Sequence, residues 1–296
     1  MVKNKSLLPI LCAALGNIIW GFSFLFTKLG VDASPNPNVM LSHRFIIATL
    51  FMLVLMLMGK GKLSFKGKKW LPMLSMLVMQ VAYYLFETYG IIHTNTTISG
   101  LVLAVVPVVT IGTGALFLRE YPTLRQALFC VMPVAGVILM TVSGNDLGVI
   151  TPVGVVFLAL TLITSAAYKT VNRKAAEEFT TFERSFLVMA NAAIVFSVVG
   201  MNAVGWNVKA YVAPLWDMKY LLSVLSLGLL CSVAAQLLTN YASGKMSVFK
   251  MSSFGALSTL CSAFAGVVIL KEPINWVLLL GAALILVGIR QVTKPK

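Results

Sequence analysis

The sequence predicts an all-α integral membrane protein, with ten transmembrane helices laid out as two inverted five-helix repeats around a central cavity. Three observations carry this. The chain is 59% hydrophobic and 11% charged, with a mean hydropathy of +0.92, which leaves too little polar surface to cover a soluble globule. Its apolar residues gather in ten runs of about the 20 residues that a helix needs to cross a hydrocarbon core of about 30 Å. The stretch from Tyr89 to Met140 recurs 152 positions later: Tyr89 falls on Tyr241, Ala104 on Ala256, Gly114 on Gly266, Leu118 on Leu270, Glu120 on Glu272, Leu128 on Leu280 and Gly136 on Gly288. Seven identities in 52 positions are few, but a basic–acidic pair (Arg119–Glu120, Lys271–Glu272) stands at one place between two apolar runs without a gap. That register divides the chain into residues 1–144 and 145–296, two halves of one integrated membrane domain.

Taken in order, the runs are 7 to 31, 38 to 58, 70 to 92, 98 to 118, 123 to 142, 152 to 172, 183 to 204, 220 to 242, 247 to 270 and 275 to 292. Lys3 and Lys5 precede the first run as in a signal peptide, but the run continues past Trp20 to about Val31 without a small-residue cleavage site and reads as a span. The connections are short and rich in turn residues, as in Ser34-Pro35-Asn36-Pro37, Gly59-Lys60-Gly61-Lys62 and Ser143-Gly144-Asn145-Asp146, the last being the expected seam between halves. None is long enough for a soluble domain.

Orientation follows from charge. With the N-terminus cytoplasmic, the inner connections hold sixteen Lys and Arg residues and the outer ones only Lys209, Lys219 and Lys271. Both termini are therefore expected in the cytoplasm, in a multi-pass protein of the cell membrane. The net charge of +14 belongs to that pattern and not to nucleic-acid binding. Five spans per half is an odd number, so the second half crosses the membrane upside down relative to the first. Inverted repeats of this kind are typical of secondary transporters, which rock one half against the other around a midplane site.

Several residues carry a family resemblance: Trp20-Gly21-Phe22-Ser23-Phe24 in span one, His43-Arg44-Phe45 in span two, Pro107-Val108-Val109 in span four, and Glu120 and Glu272 closing spans four and nine. With these the chain resembles the EamA-type transporters of the drug/metabolite transporter superfamily, over nearly its whole length. The resemblance implies export or exchange of small metabolites, often amino acids or related amphiphiles, without ATP. Thr259 stands where the pattern of Pro107 would recur, so a kink expected in span four is not carried over to span nine.

Ionisable groups inside a span cost at least about 2.5 to 3.5 kcal/mol on insertion scales and are candidates for function. Lys28, Lys169 and Lys250 lie within about a turn of a span end, where long side chains snorkel to the headgroups. Arg44 and Glu87 lie at matched depths, about 9 and 8 Å from the outer edge, and are expected to form a structural charge pair, with proton coupling through Glu87 as the alternative. Gln80, Tyr84 and Glu87 share one face of span three, and Gln236 and Asn240 share one on its repeat partner, span eight. Span one adds Asn17, Trp20, Phe24 and Thr27, and span six adds Thr161, Ser165, Tyr168 and Asn172. Facing stripes would line one cavity, so the expected substrate-binding set is Trp20, Phe24, Gln80, Tyr84, Glu87, Tyr168, Gln236 and Asn240. The competing explanation is helix-to-helix hydrogen bonding at about 0.6 kcal/mol per contact. Glu120 and Glu272 are expected to serve structure, accepting backbone N–H groups at helix starts. Gly112, Gly114, Gly136, Gly266, Gly281 and Gly288 read as close-packing points.

A transporter accounts for the repeat, the stripes and the lack of a soluble domain. An intramembrane enzyme would need a catalytic constellation, and the chain offers His43 and His93 as its only histidines, with no HExxH. Cys12, Cys130, Cys231 and Cys261 all lie in apolar runs without a CxxC, so no metal, cofactor or disulfide is expected. A passive channel or receptor would call for a charged ring or filter loop. The expected partners are a small-molecule substrate and membrane lipids, with the chain a monomer or homodimer.

Overall fold

Helix starts are written into the sequence as side-chain caps. Asn36 accepts the N–H groups of Asn38 and Val39, Thr151 that of Gly154, and Asp217 that of Tyr220. Thr180 and Glu183 form a reciprocal capping box. The computed structural model describes residues 7–33, 36–93, 102, 104–142, 151–269 and 276–294, and among these there is no strand. The helices are α1 (Leu7–Ala33), α2 (Pro37–Leu57), α3 (Leu71–His93), α4 (Val106–Leu118), α5 (Leu124–Val142), α6 (Pro152–Ala175), α7 (Thr181–Ala203), α8 (Met218–Ser243), α9 (Val248–Ser253), α10 (Ala256–Ile269) and α11 (Trp276–Thr293). By length and composition α2, α6, α7 and α8 can each cross a membrane, while α1, α3, α4, α5 and α11 contribute shorter apolar stretches. Leu57, Leu116, Leu124 and Ile194 turn large apolar side chains outward, as a lipid-facing surface requires. The chain is a multi-pass membrane protein.

Two expected spans are interrupted. Pro107 sits in the first turn of α4, where its missing N–H costs nothing, so it starts a helix instead of kinking one. The expected span nine breaks at Phe254 and Gly255, between α9 and α10, ahead of Thr259. Within α8 the stretch Leu227–Ala234 winds as a π-helix, a form that frees carbonyls and recurs at functional sites.

The main helix contacts run between the halves of the chain: α1 with α8 and α10, α2 with α7, α3 with α6, α4 with α6 and α9, and α5 with α11. Glycines set the closest approaches. A Cβ on Gly136 would stand 2.5 Å from the Gly281 carbonyl oxygen, and one on Gly288 would stand 2.4 Å from Pro133 Cδ, so α5 and α11 meet almost backbone to backbone. Gly16 lets α1 approach Thr239 on α8, and Gly21 lets it approach Ser258 and Cys261 on α10. Gly114 meets Val248, whereas Gly112 faces open space and is no packing point.

At one end of the bundle the loop after α2 is strapped to α7. Glu183 accepts from Lys68 Nζ at 2.5 Å and from the Ser64 N–H at 2.7 Å, in addition to its cap bond. The Lys68 ammonium lies over the Phe179 ring. This end gathers the cations of the connections after α2, α4, α6 and α8, while Lys209 and Lys219 lie in the excursion before α8 and in its first turn.

The glycine contacts predict opposite responses to one added methyl group. Gly136→Ala should lower stability by about 1 to 3 kcal/mol through overpacking. Gly112→Ala, with nothing within 4 Å, should be neutral or gain up to about 1 kcal/mol from helix propensity. Thermal melts in detergent check this, and equal responses would contradict the close α5–α11 packing.

Candidate functional site

Four of the expected binding residues come together on one cavity. Trp20 on α1, Tyr168 on α6, and Gln236 and Asn240 on α8 line it, with Asn17, Lys169, Arg173, Val248 and Met251 completing its walls. The cavity holds about 50 Å³, enough for one or two waters at about 30 Å³ each. The indole of Trp20 donates to the Cys231 carbonyl at 2.9 Å, one of the carbonyls of the π-helical stretch. Asn17 donates at 2.7 Å to the Ala13 carbonyl of its own helix, which fixes its orientation.

A continuous hydrogen-bond network forms one wall. Gln236 Nε2 donates to Tyr168 Oη at 2.8 Å and to Asn240 Oδ1 at 3.3 Å. Asn240 Oδ1 also accepts from Asn172 Nδ2 at 2.8 Å, and Asn240 Nδ2 donates to Ser185 Oγ at 2.9 Å. Behind these amides lies Arg184, which is 1% exposed. Its guanidinium donates to Asn172 Oδ1, to the Asn172 carbonyl at 3.2 Å, to Ser243 Oγ at 3.1 Å and to the Asn240 carbonyl at 2.6 Å. Among the described residues no carboxylate pairs with it. The capping box at Thr180 places Arg184 in the first turn of α7, and it turns into the bundle.

Lys169 departs from its expected snorkelling role. It faces the cavity, and its Nζ lies 3.8 Å from where a Cβ on Gly255 would stand, over the break between α9 and α10. Beyond Arg173 the cavity gives way to a wider, open cup of about 380 Å³, lined by Arg119, Glu120, Lys245 and Lys250 among others. Arg173 lines both spaces. Glu120 closes the first half onto the second. Its Oε1 accepts from Arg173 Nε at 2.9 Å, and its Oε2 accepts the Val248 N–H, at the start of α9, at 2.7 Å. The residue before it, Arg119, caps α4 in the left-handed region with φ 54°. Glu120 thus serves the start of a distant helix and not of the one that follows it.

The other expected residues are elsewhere. Tyr84 packs edge-on against Phe45 and Phe196, and Gln80 is buried with no partner for its Oε1 among the described residues. Neither lines the cavity. Arg44 and Glu87 do not form the expected pair: among the described residues no ion pair joins them. Arg44 Nε donates to Ser232 Oγ at 2.7 Å and lies beside the Phe45 ring, and Glu87 accepts from Tyr83 Oη at 2.8 Å. The side chain of Phe24 and the whole of Glu272 and Asn145 lie outside the described residues.

An all-helical, multi-pass membrane bundle with a cavity between its halves is the class that this fold defines. The chain belongs to the EamA-like transporter family, whose sequence model matches it twice, over residues 7–142 and 152–293. It is 31% identical over 293 residues to an uncharacterized transporter, YcxC, of Bacillus subtilis (strain 168), covering 98% of this chain and 94% of that one. It is also 21% identical over 283 residues to an uncharacterized transporter of Archaeoglobus fulgidus. A solved crystal structure superposes on it with a TM-score of 0.81 at 16% identity, over 98% of this chain and 99% of the other, a likeness of fold.

The separation of Arg44 from Glu87 predicts that Glu87→Gln stays folded. Glutamine keeps an acceptor for Tyr83, so the loss should be about 1 kcal/mol or less. A loss of about 3 to 5 kcal/mol, recovered on adding Arg44→Gln, would reveal a buried charge pair after all. Melting temperatures of the single and double variants decide it.

Proposed function

We propose that the chain is a secondary transporter, an exporter or exchanger of small metabolites such as amino acids or amphiphilic organic compounds. In this reading ten spans form two inverted repeats, residues 1–144 and 145–296, that rock around the cavity of Trp20, Tyr168, Gln236 and Asn240. The observation that carries it is the position of that cavity, walled by α1 of the first half and by α6, α8 and α9 of the second, where a relative motion of halves alternates access.

The repeat is supported by the contact pattern. Exchanging the halves (α1 for α6, α2 for α7, α3 for α8, α4 for α10, α5 for α11) turns the α3–α6 contact into α8–α1 and the α4–α6 contact into α10–α1, and leaves α2–α7 and α5–α11 in place. The double family match supports it too. Two interrupted helices beside the cavity, α8 at its π stretch and the α9–α10 break, fit the discontinuous spans around which transporters build their sites. The cationic end of the bundle supports placing it, with both termini, on the cytoplasmic side of the cell membrane.

Reconstituted into sealed vesicles, the protein should move solute saturably and with trans-stimulation. Asn240→Ala and Gln236→Ala should each reduce transport about tenfold or more, since each leaves the partners of a buried amide unmatched. Non-saturating flux without trans-stimulation would identify a channel instead.

A further inference from the structure

We infer that the solute taken at this site carries net negative charge, as a carboxylate or phosphate ester, and that the cations along the route from cup to cavity recognise it. The inference rests on the transport reading above and narrows its substrate class. Arg119, Arg173, Lys245 and Lys250 line the cup, and Lys169 and Arg173 line the cavity; among the described residues the one carboxylate lining either space is that of Glu120. Leaving Lys250 aside, four cations (Arg119, Lys169, Arg173 and Lys245) face that acid, which is already committed to Arg173 Nε and the Val248 N–H. Among the described residues the Nη groups of Arg173 bond to no other side chain.

Orientation in the membrane accounts for Arg119 and Lys245, which stand in connections, but not for Lys169, which lies inside α6. A positive-inside bias needs charge only in the connections, and Lys60, Lys62, Lys66 and Lys69 in the loop after α2 supply it. Lys169 and Arg173 stand four residues apart on one face of α6, a spacing at which like charges oppose the helix. Arg184 adds a third cation directly behind Asn172, almost fully buried and with its Nε unpartnered among the described residues. Such a cluster costs stability in the empty protein and is offset when an anion arrives. Low-dielectric walls lined by one sign of charge also concentrate counter-ions and speed their entry, in a salt-dependent way. An anionic lipid headgroup shares this chemistry and could reach the open cup, so the test separates the two sources.

The full-length protein in phosphatidylcholine vesicles is offered succinate, pyruvate and glycerol 3-phosphate as anions, alanine as a zwitterion and lysine as a cation. At least one anion should enter saturably, with a KM that rises severalfold between about 20 and 200 mM salt as screening shortens the reach of the charges. Lys169→Gln and Lys245→Gln should each raise that KM about fivefold or more, while Lys66→Gln in the loop after α2 leaves it unchanged. These lysine variants carry the test, because Arg173→Gln would also release Glu120 and endanger folding. Saturable uptake of alanine or lysine with none of the anions overturns the inference and leaves the transport reading standing. No saturable uptake of any probe overturns both. Variant-sensitive binding that appears only when phosphatidylglycerol is added to the vesicles, without anion uptake, assigns the cup to a lipid headgroup and overturns it as well.

Discussion

A guanidinium that is sealed from water and, among the described residues, has no carboxylate partner must be satisfied by neutral groups, and Arg184 sets that constraint on this bundle. An unmatched polar group costs several kcal/mol in the dry interior of a membrane protein. Arg184 meets the requirement with two main-chain carbonyls, an amide oxygen and a hydroxyl, drawn from α6 and α8. It therefore pins α6, α7 and α8 to one another at the end where the cup opens. It also orients Asn172 and Asn240, whose remaining polar atoms join the network that reaches Gln236 and Tyr168. The polar wall of the cavity is the visible side of that arrangement.

Around this fixed group the bundle leaves places that can yield. The helices that meet most intimately belong to opposite halves, and where they meet through glycine, as α5 and α11 do, the contact is stiff. Beside the cavity the regular ladder is interrupted twice, by the π-helical stretch in α8 and by the gap between α9 and α10. Trp20 fastens α1 to the first of these, Lys169 lies over the second, and Glu120 holds the start of α9. Each of these three ties joins elements across a discontinuity or across the two halves, so a rocking motion would strain or exchange them.

Much of this was legible in the sequence. Hydropathy located the helical segments, and the recurrence of Gly136 at Gly288 pointed to a contact that the two glycines do make possible. Helical periodicity put Trp20, Tyr168, Gln236 and Asn240 on inward faces. The same reasoning failed for Gln80 and Tyr84, because periodicity states which residues share a face and not which helix that face meets; theirs meets Phe45 and Phe196. Depth along a helix misled for Arg44 and Glu87, since it says nothing about direction around the axis. Arg184 stands at the very edge of the run 183 to 204, where hydropathy carries no signal, although Thr180 and Glu183 three residues apart were enough to put it inside a helix.

The central claim is that the space walled by α1, α6, α8 and α9 is an aqueous site reached from one membrane face at a time. Single cysteines at Met251, on the cavity wall, and at Ile194, on the lipid-facing surface, in a background without the four native cysteines, test it directly with an impermeant thiol reagent applied to each face of sealed vesicles. Met251→Cys should react from the face that bears the Lys60 to Lys69 loop, and more slowly from the other as the site alternates, while Ile194→Cys resists from both. No reaction of Met251→Cys from either face, or reaction no faster than that of Ile194→Cys, would contradict the account.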